Sequence, residues 1–369
     1  MAEALRMARR AYGFTSPNPM VGAVLVKRGQ VIGRGWHHRA GEPHAEIEAL
    51  RDASKRGNDV AGATLYVTLE PCSSFGRTPP CTDAIIETKL RRVVIGATDP
   101  NPKHVGRGIS LLKRVGISVT NGILESECSR LNEAFNHWIV YRRPFVTVKA
   151  AMTLDGKIAT AKGDSKWISG EKARQHGMTL RFGADAILVG INTILKDDPH
   201  LTFRSEDTKL NDAKRLRRIV LDSFARTPLA ARVVCDARAD QTTIVVGDSA
   251  PRKRVESLAR KVRVLIAPGA GSADARGIDL PWLLDTLGKE EVTSLLVEGG
   301  GEVNASLLMQ GLAQRVAFFY APKVLGGRDT RRAVAGDGAR SLDEAIGLTE
   351  LEWRTLGPDL FMTGKVMIV

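Results

Sequence analysis

Cysteine is scarce: Cys72, Cys81, Cys128 and Cys235 are all that 369 residues contain. So few make no disulfide framework, and a reducing, cytoplasmic compartment is the expected setting. No apolar run approaches the ~18 residues needed to cross a bilayer, so no membrane association is expected. The opening MAEALRMARRAYG lacks an apolar h-region and a cleavage pattern, which speaks against a secretory signal. Internal repeats and low-complexity segments are absent. The net charge is +13, yet there is no basic tract: Lys27-Arg28, Arg91-Arg92, Arg142-Arg143 and Arg331-Arg332 are isolated pairs. A nucleic-acid surface needs basic residues gathered on one face, so the charge reads as a general basic surface that attracts small phosphorylated anions. What is present is ordinary for a globular protein: 43% hydrophobic and 26% charged residues. The 36 glycines suit an α/β fold with tight turns near ligands. The length exceeds what one core usually supports, so two domains are expected.

Periodicity divides the chain near Pro144. Residues 1–13 read as a helix, ended by Ser16-Pro17-Asn18-Pro19. Strands follow at 21–26 and 31–35, joined by a turn at Gly29-Gln30, then a helix opened by Pro43 with Ile47, Leu50 and Ala53 on one face. Strands at 64–69, 92–97 and 117–119 alternate with helices at 82–89 and 109–115, and one long helix covers 125–141. Arg142-Arg143-Pro144 stops that helix, giving domains 1–143 and 144–369. A second alternation places strands at 145–150, 186–189, 218–222, 243–246, 262–266, 294–297 and 316–320, with helices at 171–182, 281–287 and 304–310. Both halves are therefore α/β.

The first half carries His44-Ala45-Glu46 at a helix start, Pro71-Cys72 after a strand, and Cys81 just before another helix. One His and two Cys are donors that suit Zn²⁺, and three protein ligands leave a fourth position for water. Zinc lowers the pKa of that water to ~7. Glu46, beside the ligands, can take the water's proton and pass it to a departing amine, which is what deamination requires. Both cysteines are expected near helix N-termini, where the dipole favours thiolate. Each fragment alone is commonplace; the set in this order is not. His37 and His38 stay open as a fourth, structural ligand. Eight residues, SSFGRTPP, separate Cys72 from Cys81, where nucleobase deaminases have Cys-x-x-Cys. That loop should shape the pocket, and it sets the chain apart from cytidine and tRNA-adenosine deaminases.

In the second half, Leu295–Glu302 runs from a strand through Gly299-Gly300-Gly301 into a helix, where backbone N–H groups can meet a phosphate. It is not GxGxxG, so it is a weak nucleotide signature on its own; a flexible strand-to-helix turn is the bland alternative, but three consecutive glycines are more than a turn needs. Leu154-Asp155-Gly156-Lys157 reads equally as a hairpin turn, and Asp197-Asp198-Pro199 as a helix stop.

The runs Thr15–Ala23, Gly41–Glu46, Thr68–Ser73, Gly76-Arg77-Thr78-Pro79-Pro80-Cys81 and Asp99-Pro100-Asn101-Pro102 resemble the bifunctional riboflavin-biosynthesis deaminase/reductase family, and the resemblance covers nearly the whole chain. It implies a cytidine-deaminase-like α/β/α domain followed by a dihydrofolate-reductase-like α/β domain. It implies zinc on His44, Cys72 and Cys81, proton transfer by Glu46, and Asn18 and His37 near the substrate ring. The substrate implied is a small phosphorylated pyrimidine carrying a phosphoribosylamino arm. Its ring is deaminated, and NADPH then reduces the arm to ribityl. In the reductase half, Ala151, Trp167, Thr193, Asp197, Ser223, Gly299, Gly300, Gly301 and Glu302 are implied to line the cofactor. Ser165, Arg181, Leu201, Arg204 and Glu298 are implied to contact the substrate. Arg181 and Arg204 suit its phosphate because guanidinium forks match phosphate oxygens, and Lys149 and Glu298 are candidates for handling the proton at the reduced carbon. Lys166 stands where Gln is expected, so it either attracts phosphate or faces solvent. A homo-oligomer is expected, with no nucleic-acid partner. Two other readings stay open: a tRNA-type deaminase with an appended binding domain, and a non-catalytic zinc scaffold, which the intact Glu46 disfavours.

Overall fold

The structure, a computed structural model, describes residues 1–76, 78–269 and 277–367; Arg77, quoted above within the Cys72–Cys81 loop, lies outside them. The chain divides into two compact units, Met1–Arg143 and Pro144–Val369. Among the described residues no helix is long and apolar enough to cross a membrane.

The first unit is built on a five-stranded sheet in the order Gln30–Trp36, Gly22–Lys27, Thr64–Leu69, Arg92–Ala97, Ser118–Thr120. Its first two pairings are antiparallel and its last two parallel. The turn between the first strands is Arg28-Gly29, not Gly29-Gln30: both residues have positive φ (51° and 77°), as a two-residue hairpin turn requires. Gly33 and Gly35 share one face of their strand, and the helix Ala45–Lys55 lies directly on it. A Cβ on Gly33 would strike the Ala49 carbonyl; one on Gly35 would strike the Ala45 carbonyl and the Ala49 amide. The buried stripe of that helix is accordingly Ala45, Ala49 and Ala53, each fully buried, while Ile47 and Leu50 are only half-buried. The expected apolar face is thus rotated, because a glycine-lined strand takes the helix backbone, not its larger side chains. The expected long helix is two, Glu125–Leu131 and Glu133–Tyr141, broken at Asn132, whose side-chain amide pairs with both the N–H and the carbonyl of Met20.

The second unit holds a nine-stranded sheet in the order Arg263–Ala267, Thr242–Gly247, Arg217–Leu221, Ala186–Gly190, Ser294–Val297, Phe145–Thr153, Arg315–Ala321, Asp359–Val366, Leu348–Leu356. The first seven run parallel, and Asp359–Val366 runs antiparallel to both of its neighbours. The central strands are buried on both faces, which is why they read as continuous apolar runs. Sequence reasoning missed the C-terminal hairpin, whose edge strand LTELEWRTL is largely exposed and lacks alternation. It also missed the helices Ile191–Asp197 and Arg252–Ala259, and the small pairing of Lys157–Ala159 with Arg331–Arg332.

Candidate active sites

His44 caps the helix Ala45–Lys55, so the glycine–alanine seam beneath that helix also sets the position of His44 and Glu46. Cys81 is the first residue of the helix Cys81–Glu87, and its backbone N–H donates to the Cys72 sulfur at 3.3 Å. Cys72 itself follows the strand Thr64–Leu69 in a loop, so only Cys81 has the helix-terminal position expected for both cysteines. The donor atoms of His44, Cys72 and Cys81 all lie within 4.8 Å of one another, the only such cluster among the described residues. His44 Nδ1 is 3.5 Å from Cys72 Sγ and 3.3 Å from Cys81 Sγ. Its other nitrogen, Nε2, is 3.3 Å from Thr78 Oγ1 in the eight-residue loop. One imidazole nitrogen converging with two sulfurs is a donor set that fits zinc.

The hydrogen bond from Cys81 and the neighbouring His44 pull the Cys72 thiol down to about 4, so it is the readier thiolate. The Cys81 thiol, hydrogen-bonded to Cys72 and buried, is pushed up. Glu46 is buried, and the loss of hydration raises its carboxyl to about 7. His37 is 2% exposed, and its ring meets that of His44 edge-on with centroids 5.2 Å apart. Its Nδ1 lies 3.2 Å from the Pro43 carbonyl and its Nε2 3.0 Å from Asn18 Nδ2. Burial holds its pKa down, so the neutral ring donates to Pro43 and accepts from Asn18. Asn18 and His37 therefore stand together beside His44.

Sequence reasoning overlooked Thr78 and Glu70. The Glu70 carboxylate, next to Pro71-Cys72, accepts the backbone N–H groups of Asp99, Gly106 and Ile109, tying the Asp99-Pro100-Asn101-Pro102 loop to the cysteine-bearing strand end. An acid directly between an apolar strand and Pro-Cys was the available signal.

In the second unit two adjoining cavities, about 550 and 1430 Å³, collect every residue expected there at the cofactor, the substrate or the proton transfer, while Leu154-Asp155-Gly156-Lys157 lines neither. Lys149 and Ala151 line the smaller; Thr193, Asp197, Leu201, Ser223, Gly300, Gly301 and Glu302 line the larger; Ser165, Trp167, Arg181, Arg204, Glu298 and Gly299 line both. Arg181 does not offer a free fork. Its Nε and Nη2 clamp both Glu298 oxygens at 2.7 and 2.9 Å, and Nη1 donates to the Thr202 carbonyl. Lys149 Nζ lies 3.6 Å from the same carboxylate. Burial alone would raise Glu298, but the two cations outweigh it and hold the acid at about 2. Arg204 is exposed and has no ion-pair or hydrogen-bond partner among the described residues. Lys166 is exposed, as one of its two expected readings has it, and its Nζ stands 3.6 Å from Asp197 at the larger cavity. Two of the three glycines answer to packing, since a Cβ on Gly299 would press on Val303 and one on Gly301 on the Arg332 carbonyl. Only Gly300, capping the helix Gly301–Met309, has open space.

Comparison with known proteins matches residues 144–362 to the RibD C-terminal domain and residues 1–97 to the cytidine and deoxycytidylate deaminase zinc-binding region. The riboflavin biosynthesis protein RibD of Aquifex aeolicus is 43% identical over 99% of this chain and 97% of its own length. That of Escherichia coli is 40% identical over 98% and 96%. Among solved structures, Acinetobacter baumannii RibD superposes with a TM-score of 0.86 at 33% identity, covering 100% of this chain and 98% of its own. A diaminohydroxyphosphoribosylaminopyrimidine deaminase/5-amino-6-(5-phosphoribosylamino)uracil reductase from Thermotoga maritima gives 0.81 at 34% identity, covering 100% and 97%. The two folds are therefore a cytidine-deaminase-like unit and a reductase unit of the dihydrofolate-reductase-like kind.

Proposed function

The chain belongs to the RibD family of bifunctional riboflavin-biosynthesis deaminase/reductases, and on that premise we propose residue roles, cofactor and substrate for its two activities. The observation that carries the deaminase half is the convergence of His44 Nδ1, Cys72 Sγ and Cys81 Sγ beside a buried Glu46. Bound to those three residues, zinc would act as a Lewis acid and bring the pKa of water to ~7. Glu46 carries a proton between water and the departing ammonia, a task suited to a carboxyl held near neutrality. Asn18, whose Nδ2 is committed to His37, keeps its Oδ1 for an N–H of the pyrimidine ring.

In the reductase unit, NADPH would supply hydride to the ribosyl carbon of the deaminated phosphoribosylamino compound. Glu298, fixed as a carboxylate by Arg181, is no proton donor; it orients the Lys149 ammonium, which delivers the proton. Arg204, exposed and uncommitted, is left to meet the substrate phosphate. Ala151, Trp167, Thr193, Asp197, Ser223, Gly299–Gly301 and Glu302 are assigned to the cofactor, and Ser165, Arg181, Leu201 and Glu298 to the substrate's surroundings, on the cavities they share. Free thiols at all four cysteines accord with a cytoplasmic enzyme. Exposed Leu351 and Trp353 on the edge hairpin accord with a homo-oligomer. We assign no nucleic-acid partner.

The test offers the purified protein the diaminopyrimidine nucleotide, cytidine and bulk tRNA in turn. Ammonia should appear from the nucleotide alone. Ammonia from tRNA, with binding that falls steeply with salt, would point instead to a nucleic-acid deaminase.

A further inference from the structure

Arg218 stands outside both cavities, in the strand Arg217–Leu221, and is completely buried. Its guanidinium is saturated. Nε donates to Thr242 Oγ1 at 2.8 Å, directly across the parallel pairing. Nη1 and Nη2 clamp the Asp236 carboxylate at 2.7 and 2.8 Å, and Nη2 also donates to the Val233 and Arg238 carbonyls. The remaining bond runs from Nη1 to the His200 carbonyl at 3.0 Å. An ion pair buried this deeply is weak evidence for stability, since apolar side chains of the same volume often serve as well; its specific contribution is geometry.

The geometry in question is that of the segment 197–204. Asp198 and Leu201 both adopt left-handed φ, 38° and 51°, which non-glycine residues rarely hold without support from their surroundings. Three clamps supply that support. Asp198 Oδ1 accepts the Arg232 N–H at 2.8 Å, Arg218 holds the His200 carbonyl, and Arg181 holds the Thr202 carbonyl. Between the last two the chain turns at Leu201, which is buried in the core, and two residues after Thr202 it presents the uncommitted Arg204 to the cavities.

We propose that Arg218, with Asp236, is a positioning residue of the reductase site: by fixing the peptide at His200 it holds the strained turn that aims Arg204 at the substrate phosphate. This rests on the assignment of Arg204 to the substrate made above.

The test uses the full chain with Asp236→Asn, Arg204→Ala and the two combined. Reductase KM is measured for the deaminated nucleotide and for NADPH, with ammonia release from the diaminopyrimidine as the internal control for folding. Asp236→Asn should raise the substrate KM about tenfold, the scale of one charge-assisted contact. NADPH KM, kcat and ammonia release should stay within about twofold. The double variant should be no worse than Arg204→Ala, because both changes act on one contact. If Asp236→Asn does not fold, Thr242→Val, which removes the Nε acceptor together with the Thr242 hydroxyl's bond to the Val233 carbonyl, carries the same measurement. A responsive Arg204→Ala beside an unchanged substrate KM in Asp236→Asn, or additive effects in the double variant, would overturn the positioning role alone. A silent Arg204→Ala would overturn the assignment on which it rests, and the single variant reveals that by itself.

Discussion

Glu46 sits two residues into the chain from the histidine that caps its helix, and the helix keeps its carboxyl out of water. Glu46→Gln preserves volume and all three metal donors. It should retain zinc by elemental analysis yet lose ammonia release by well over tenfold, since a positioned acid–base group contributes ~10²–10⁴-fold; ordinary turnover would refute the assigned role. Thr78 acts one step further out. Its Oγ1 is the partner of His44 Nε2, the contact that aims Nδ1 at the sulfurs. Thr78→Val should weaken zinc retention against a competing chelator by roughly 10–100-fold, as loss of such outer partners does, and Thr78→Ser should restore it. Arg204→Ala should raise the reductase KM for the nucleotide by about one to two decades, with Arg204→Lys recovering only part of the loss. If Arg204→Ala lost NADPH affinity and kept NADH affinity, Arg204 would belong to the cofactor's extra phosphate. The convergence of His44, Cys72 and Cys81 near a buried Glu46 was legible in the sequence because these residue types are rare in combination. Thr78 was not, because nothing in a threonine between Arg77 and Pro79 announces that a histidine lies beside it.

At the scale of elements, the deaminase unit depends on a strand with no side chains where a helix must land. Gly35→Ala would drive a methyl into the Ala45 carbonyl and the Ala49 amide, backbone atoms that have no way to step aside. Overpacking of this kind costs about 1–3 kcal/mol or more. Thermal unfolding of the first unit should shift down with loss of bound zinc, while NADPH oxidation persists; an unshifted transition would contradict the seam. The Glu298 clamp makes a prediction of opposite reach. Its folded pKa of about 2 lies below the ordinary value of 4.5, so the stability it contributes is complete above pH ~4.5 and drains away as pH falls toward 2. Between pH 5 and pH 3 the native protein should lose on the order of 2 kcal/mol relative to Glu298→Gln in denaturant titrations; parallel curves would show that the clamp is not ionic. Strands buried on both faces, such as Thr242–Gly247, could be read from their unbroken apolar runs. The alanine face of Ala45–Lys55 could not, because hydrophobic periodicity weights Ile47 and Leu50 above alanines whose burial depends on glycines elsewhere. The edge strand Leu348–Leu356 escaped for the converse reason: it buries too little to leave a pattern.

For the whole molecule, the metal donors all fall within Met1–Arg143 and both cavities are lined from Pro144–Val369. Chelation should therefore abolish ammonia release and leave reduction of pre-deaminated nucleotide largely intact; equal loss of both would mean that zinc holds the two halves together. The division into two α/β halves was legible because Arg142-Arg143-Pro144 interrupts two alternating runs. The charge of +13 was less informative, since it does not tell which cations are committed: Arg181 and Arg218 are each clamped on a carboxylate. The central claim, that one chain performs both reactions in order, is tested most directly by supplying the diaminopyrimidine nucleotide with and without NADPH and scoring ammonia and NADPH separately. The account predicts ammonia in both cases and, when NADPH is present, its oxidation one for one with the ammonia released. NADPH oxidation without ammonia, or ammonia never followed by NADPH oxidation, would contradict it.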